Sequence, residues 1–335
     1  MSHWGTVARG LLRWTMTGQR PRAVDDHADH VRILRERGLD SLYYLVYEPD
    51  SRVQHLYDAV WRKQKTACEQ FQRAAASAGI ESLVFKGAAL TDRWSGRALG
   101  CMADVDLLVR KNAIIAAIEV LYDLGYKPRE FHDEHGALKL RSQSDILYHE
   151  AKHYELVPYN RLEPIELSSG EISAIQDVHR HAIRLIDGRP QVLIEVDVHH
   201  GVATDMDSEG FFDRAVTGPQ GTTFSDSDHL WFGLSRLYAE IALHGKQSLR
   251  DFGYLAPLLT RGNLDWGLIV NVAAEHELRP ALFYFLSFLD ELASNVIEPG
   301  VLDALSPHRG LRYRDWGWQL GKLFDTVEPL PEIRC

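Results

Sequence analysis

The sequence predicts a mixed α and β protein in which helices pack on a sheet, followed by an all-helical part. Three observations carry this. Between residues 51 and 125, short apolar runs alternate with amphipathic helical stretches, the pattern of an α/β or α+β layer. The segment AIRLIDGRPQVLIEVDVHH reads as a hairpin, two alternating arms joined at Asp187-Gly188. From Ser225 onward, strand-like alternation stops and one helical pattern follows another.

Each element has its own signal. The N-terminal MSHWGTVARGLLRWTMTGQR mixes basic and apolar residues without an apolar core of signal-peptide length, so it reads as a surface helix. Residues 28–48 carry helical spacing, and SRVQHLYDAVWRKQKTACEQFQRAAASAGI continues as a long amphipathic helix ending near Gly79. ESLVFKG is a strand closed by glycine, and GAALTDRW is a short helix starting where the strand stops. The turn between them presents free backbone N–H groups, a setting that suits phosphate. ADVDLLV is the next strand, and RKNAIIAAIEVLYDLGY is an apolar-faced helix stopped at Gly125. Residues 127–150 are polar and give no clear element, whereas HYELVPY alternates as a strand.

The helical part comprises DHLWFGLSRLYAEIALHGK, SLRDFGYLAPLLTR, LDWGLIVNVAAEHEL and PALFYFLSFLDELASNV. The polar, glycine-rich TGPQGTTFSDSD is the natural joint before it. The expected layout is therefore an N-terminal helical segment over 1–50, a sheet-bearing domain over 51–224 and a helical C-terminal domain over 225–335.

A formal net charge of −10 disfavours broad, sequence-independent attraction to a phosphate backbone, so nucleic acid is an improbable substrate, with tRNA left open. Cys68, Cys101 and Cys335 show no CxxC spacing, which argues against a disulfide framework or a cysteine zinc site and for a reducing, cytoplasmic setting. No segment is long and apolar enough to span a bilayer, so no membrane partner is expected.

The chemistry concentrates in two acidic strands. In MADVDLLV, Asp104 and Asp106 share one face of an otherwise apolar strand, where two carboxylates repel each other unless a cation sits between them. In LIEVDVHH, Glu195, Asp197 and His199 share a face, with Ile194, Val196 and Val198 on the other. A sheet that sets these strands side by side gathers Asp104, Asp106 and Asp197 into a hard-oxygen site for Mg²⁺, or alternatively Mn²⁺. Two such ions, roughly 3.5–4 Å apart, clamp the attacking and leaving oxygens of a phosphoryl displacement. Sixteen histidines also raise a zinc hydrolase built on His153, Asp197 and His199, although no HExxH is present and His179 and His181 fall in an unassigned segment.

FKGAAL, ADVDLLV, a helix ending LGY, HYELVP and EVDVHH occur in that order, preceded by GLDSLYYLVY and followed by LHGKQSLRDFGYLAPLL and LDW. This ordered set resembles the uncharacterised nucleotidyltransferase family of the DNA polymerase β-like superfamily, over roughly residues 30–290. The resemblance implies an α+β fold, a nucleotidyltransferase-like mixed β-sheet core with packed helices plus an α-helical C-terminal domain. It also implies a metal-dependent enzyme that moves a nucleoside monophosphate from an NTP to a small-molecule or peptide acceptor and releases pyrophosphate.

Under that resemblance Asp104, Asp106 and Asp197 hold the metal, and Asp197 also serves as general base. Lys86 and Gly87 stand where the superfamily has a glycine-serine pair, with Lys86 directed to the β- and γ-phosphates. Arg97 and Arg93 neutralise triphosphate charge, His153 and Glu155 line the acceptor pocket, and His199 orients Asp197 or the acceptor. His244 and Asp251 match the recurrent positions of the helical part and close the site. The missing serine after Gly87 and the arginines' distance from the acidic pair also leave room for a nucleotide-binding protein without turnover.

Overall fold

The computed structural model describes residues 3–22, 27–94, 97–99, 102, 104–131, 138–175, 183–203, 206–218 and 221–307. The chain divides into two compact units, one formed by Met1–Pro49 with Asp226–Cys335 and the other by Asp50–Ser225.

The first unit is helical. It contains α1 (His3–Thr17), α2 (His27–Glu36) and α3 (Asp40–Tyr47) from the N-terminal side. The second unit supplies α4 (Arg52–Ser77), α5 (Lys86–Trp94), α6 (Ile114–Asp123), α7 (Gln143–Glu150), α8 (Ser169–Ala174) and α9 (Glu209–Asp213). The first unit resumes with α10 (Asp226–His244), α11 (Arg250–Leu255), α12 (Leu258–Arg261), α13 (Trp266–Glu275), α14 (Arg279–Ala293) and α15 (Val301–Leu305). The expectation of a surface helix at the N-terminus is corrected here: α1 packs on α14 and α12, with Ala8, Leu11 and Leu12 fully buried. Its apolar positions 4, 7, 8, 11 and 12 form one helical stripe broad enough to join a core.

The second unit is built on strands β1 (Ser82–Phe85), β2 (Val105–Val109), β3 (Lys127–Phe131), β4 (Leu138–Leu140), β5 (Tyr159–Pro164), β6 (Ile183–Ile186), β7 (Arg189–His199), β8 (Val216–Gly218) and β9 (Gly221–Thr223). They form a mixed sheet in the order β4-β3-β5-β7-β2-β1-β9-β8, with β6 also paired to β7. The central pair, β2 and β7, runs parallel, while β1 lies antiparallel to β2. Val105, Leu107, Val109, Val196 and Val198 are all fully buried, which accounts for the apolar half of each strand.

Helix α4 touches β1 and β7 and packs against α6 and α8. Its ends follow from local chemistry. Ser51 accepts a hydrogen bond from the Gln54 N–H (3.2 Å) as N-cap. At the other end Gly79, at φ +73°, allows Ile80 N–H to donate to Ala75 O (2.8 Å) and its own N–H to donate to Ala76 O (3.1 Å), the paired bonds of a Schellman stop.

The hairpin turns at Asp187 (φ +50°) and Gly188 (φ +73°), both left-handed as a two-residue turn requires. Three segments differ from expectation. HYELVPY is not a continuous strand. Glu155 bridges His199, and pairing with β7 resumes only at Tyr159, opposite Val196. Three residues on one side thus lie opposite two on the other, a bulge at Pro158, which has no N–H to donate. The unassigned residues 127–150 contain β3, β4 and α7 among those described, and part of the expected joint forms the β8–β9 hairpin, which extends the sheet beside β1. Among the described residues, no helix is long and apolar enough to cross a membrane.

Candidate active site

The parallel register of β2 and β7 places Asp106 beside Asp197 and Leu108 beside His199. Asp104 immediately precedes β2, and one carboxylate oxygen from each of Asp104, Asp106 and Asp197 lies within 4.8 Å of the others. The three acids expected to converge are therefore together, on the face opposite the buried valines.

The surroundings treat these acids unequally. Lys86 Nζ contacts Asp106 Oδ1, and His199 Nε2 lies 3.1 Å from the same oxygen. Burial opposes ionisation of Asp106, but the Lys86 charge and the His199 hydrogen bond outweigh it and hold the carboxyl well below the usual carboxylate range. Asp197 gets less help: the Lys86 charge also favours its ionisation but is outweighed, and its Oδ1 is buried with no hydrogen-bond partner among the described residues. Burial, reinforced by repulsion from Asp104, Asp106 and Glu195, pushes Asp197 up to about 9. Glu195, on the same face of β7, is pushed up to about 7 by burial and by Asp104, against a hydrogen bond from Asn160.

This arrangement fits a divalent cation. An orphaned buried carboxylate oxygen beside two further acids is the donor set that a hard, oxygen-seeking ion satisfies. Asp104, Asp106 and Asp197 would be the ligands, with Glu195 close enough to add negative charge.

Lys86 sits at the junction of β1 and α5 with φ +57°, the left-handed region that a lysine rarely adopts. That conformation brings its side chain onto Asp106, and Gly87 follows as the second residue of α5. Phe85 contacts the His199 ring edge-on at 5.0 Å and stacks on Phe224 at 4.8 Å, so an aromatic wall backs the imidazole.

The segment before β2 is fastened to α4 by polar side chains that sequence reading passed over. Gln54 Nε2 donates to Ala98 O (3.0 Å), Ala98 N–H donates to Asp58 Oδ1 (2.8 Å), and Gln64 Nε2 donates to Met102 O (2.7 Å). Arg97, expected at the triphosphate, donates from Nε to Asp58 Oδ2 (2.5 Å). The available signal was three polar residues, Gln54, Asp58 and Gln64, on the buried face of an otherwise apolar helix.

The remaining expected residues divide. His199 faces Asp106 through Nε2, and its Nδ1 lies 3.4 Å from Glu155 Oε2, outside hydrogen-bond geometry. His153 groups with His149 and Glu155, Asp197 groups with Asp104 and Asp106, and His199 is in neither group, so the three residues of the zinc-hydrolase alternative do not converge on one set of ligands. Asp251 belongs to the helical unit, where its Oδ2 accepts from Lys246 Nζ (2.9 Å), which also contacts Glu240. The side chains of Arg93 and His244 lie outside the described residues.

Comparison with curated proteins and with solved structures gives no match. Residues 57–294 match a family described as uncharacterised nucleotidyltransferase, a span that includes every strand among the described residues, the three clustered aspartates and Lys86. The match covers most of the chain and agrees with the α+β architecture of mixed sheet and packed helices, so the protein belongs to the uncharacterised nucleotidyltransferase family.

Proposed function

We propose that residues 50–225 form the catalytic domain of an Mg²⁺-dependent nucleotidyltransferase that transfers a nucleoside monophosphate from an NTP to a small-molecule or peptide acceptor. The observation that carries this reading is the meeting of Asp104, Asp106 and Asp197 beside Lys86. Mg²⁺ held by the three aspartates would neutralise phosphate charge and act as Lewis acid.

The chain's own residues do the rest. Lys86 binds the phosphates electrostatically, its strained backbone fixing the direction from which the charge arrives. The acceptor oxygen bonds to the α-phosphorus, the bond to the bridging oxygen breaks, and pyrophosphate leaves. With the cation holding Asp197 ionised, the carboxylate oxygen that the cation does not engage would take the acceptor's proton. His199 keeps Asp106 ionised and oriented from its buried position between the aromatic wall and Glu155.

A second reading has one observation in its favour. Lys86 already contacts a carboxylate expected to bind metal, as a resident cation would in a protein that binds nucleotide without turning it over. One experiment addresses both. Purified protein is incubated with Mg²⁺ and α-labelled NTPs over a panel of hydroxyl, amine and carboxylate acceptors, with and without EDTA. Label on an acceptor with matching pyrophosphate, lost with EDTA and in Asp104→Ala, supports transfer. Saturable Mg-NTP binding with no label on any acceptor supports the second reading. Equally weak binding by wild type and Asp104→Ala rejects both.

A further inference from the structure

A second cluster of metal-binding side chains lies outside the carboxylate triad. His149, in the last turn of α7, and His153 are one helical turn apart, and the His153 N–H donates to His149 O (3.0 Å). That spacing stacks the two imidazoles at 4.2 Å between centroids with 19° between planes. Glu155 follows, held in place by its bridge to His199, and one ligand atom from each of His149, His153 and Glu155 lies within 4.8 Å of the others. His149 Nε2 is buried and has no hydrogen-bond partner among the described residues. A buried imidazole nitrogen without a partner costs free energy unless a ligand satisfies it.

We propose that His149, His153 and Glu155 form a second metal site, distinct from the three aspartates, that binds Zn²⁺. The ligand chemistry separates the two sites. Three carboxylates suit a hard ion such as Mg²⁺, whereas two imidazoles and one carboxylate are a borderline-soft set that favours zinc. Two histidines one helical turn apart, with a carboxylate two residues beyond the second, supply three ligands and leave a fourth position for water.

The site is linked to the first through one residue. Glu155 Oε2 lies 3.4 Å from His199 Nδ1, and His199 Nε2 lies 3.1 Å from Asp106 Oδ1. A cation on Glu155 therefore acts on the imidazole that supports Asp106. The inference goes beyond the transferase reading and does not depend on it.

The test uses the full chain without an affinity tag, stripped with a chelator and titrated with Zn²⁺, and in parallel with Co²⁺ for its ligand-field absorption. The expected result is one equivalent bound, weakened by about tenfold or more in His149→Ala and in His153→Ala. The double variant Asp104→Asn/Asp197→Asn retains that zinc equivalent. His149→Gln, which keeps size and polarity, loses zinc in the same way while unfolding at the wild-type temperature, which separates ligand loss from misfolding. Zinc affinity equal in wild type and both histidine-to-alanine variants overturns the site. So does zinc lost from the double aspartate variant but kept by the histidine variants.

Discussion

Asp106 and Asp197 stand side by side on parallel neighbouring strands, yet their protonation is driven in opposite directions. Lys86 and His199 both converge on Asp106 Oδ1, and Asp197 Oδ1 has no hydrogen-bond partner among the described residues. Two acids of the same type thus become an ionised anchor and a proton holder through their neighbours alone.

The first prediction concerns pH and metal. Without metal, the folded protein keeps protons on Asp197 to about pH 9 and on Glu195 to about pH 7, whereas the unfolded chain loses both near pH 4. Between these limits the folded state binds more protons, so stability falls as pH rises. Thermal unfolding without metal should drop in temperature from pH 5 to pH 9, and Asp197→Asn should flatten that slope. Mg-NTP binding at pH 7 should release about one proton, measured by calorimetry in buffers of different ionisation enthalpy. A wild-type slope of the opposite sign would refute the assignment.

The second prediction isolates the backbone at Lys86. A non-glycine residue at φ +57° costs about 1–2 kcal/mol relative to glycine, so Lys86→Gly should be more stable than Lys86→Ala by about 1 kcal/mol in urea titrations. Ordinary helix preference ranks these two in the reverse order. Both variants lose the charge beside Asp106. A charge-assisted hydrogen bond contributes about 1.5–3 kcal/mol, so each should bind Mg-NTP about 10- to 100-fold more weakly.

The third prediction tests the corrected role of the N-terminal helix. Leu11 is fully buried in the helical unit, and Leu11→Ala should cost about 2–5 kcal/mol of that unit's stability. A surface helix would lose less than about 0.5 kcal/mol at the same position. Urea unfolding followed by tryptophan fluorescence distinguishes the two.

The elements and the acids that meet were legible because period and residue type are local properties. Alternation marks β2 and β7, and two carboxylates on the apolar pattern of each expose the site face. What remained hidden depends on pairing across the chain. Nothing near Asp106 in sequence says that Lys86 and His199 will share its oxygen, since they lie 20 and 93 residues away. The bulge beside Pro158 was hidden for a similar reason, because alternation in HYELVPY continues through a slip that only the partner strand reveals. Arg97 shows only its charge in the sequence, and its partner Asp58 lies 39 residues earlier, across β1 and α5.

That pairing yields the last prediction. Asp58 is buried and receives hydrogen bonds from Arg97, from the Ala98 amide and from Gln54, so it fastens the segment leading to the acidic pair without touching either aspartate. Asp58→Ala removes the acceptor of the buried Ala98 amide, and a buried unsatisfied group costs about 1–3 kcal/mol. The Ala98 amide should then exchange with solvent at least about tenfold faster, because local opening replaces a made bond. Mg-NTP affinity should fall as well, since Asp104 loses the support that sets its position relative to Asp106 and Asp197. Asp58→Asn keeps one acceptor oxygen and should retain part of both properties. Unchanged exchange at Ala98 in Asp58→Ala would show that the segment is held by other contacts, and unchanged nucleotide affinity with faster exchange would uncouple the anchor from the site.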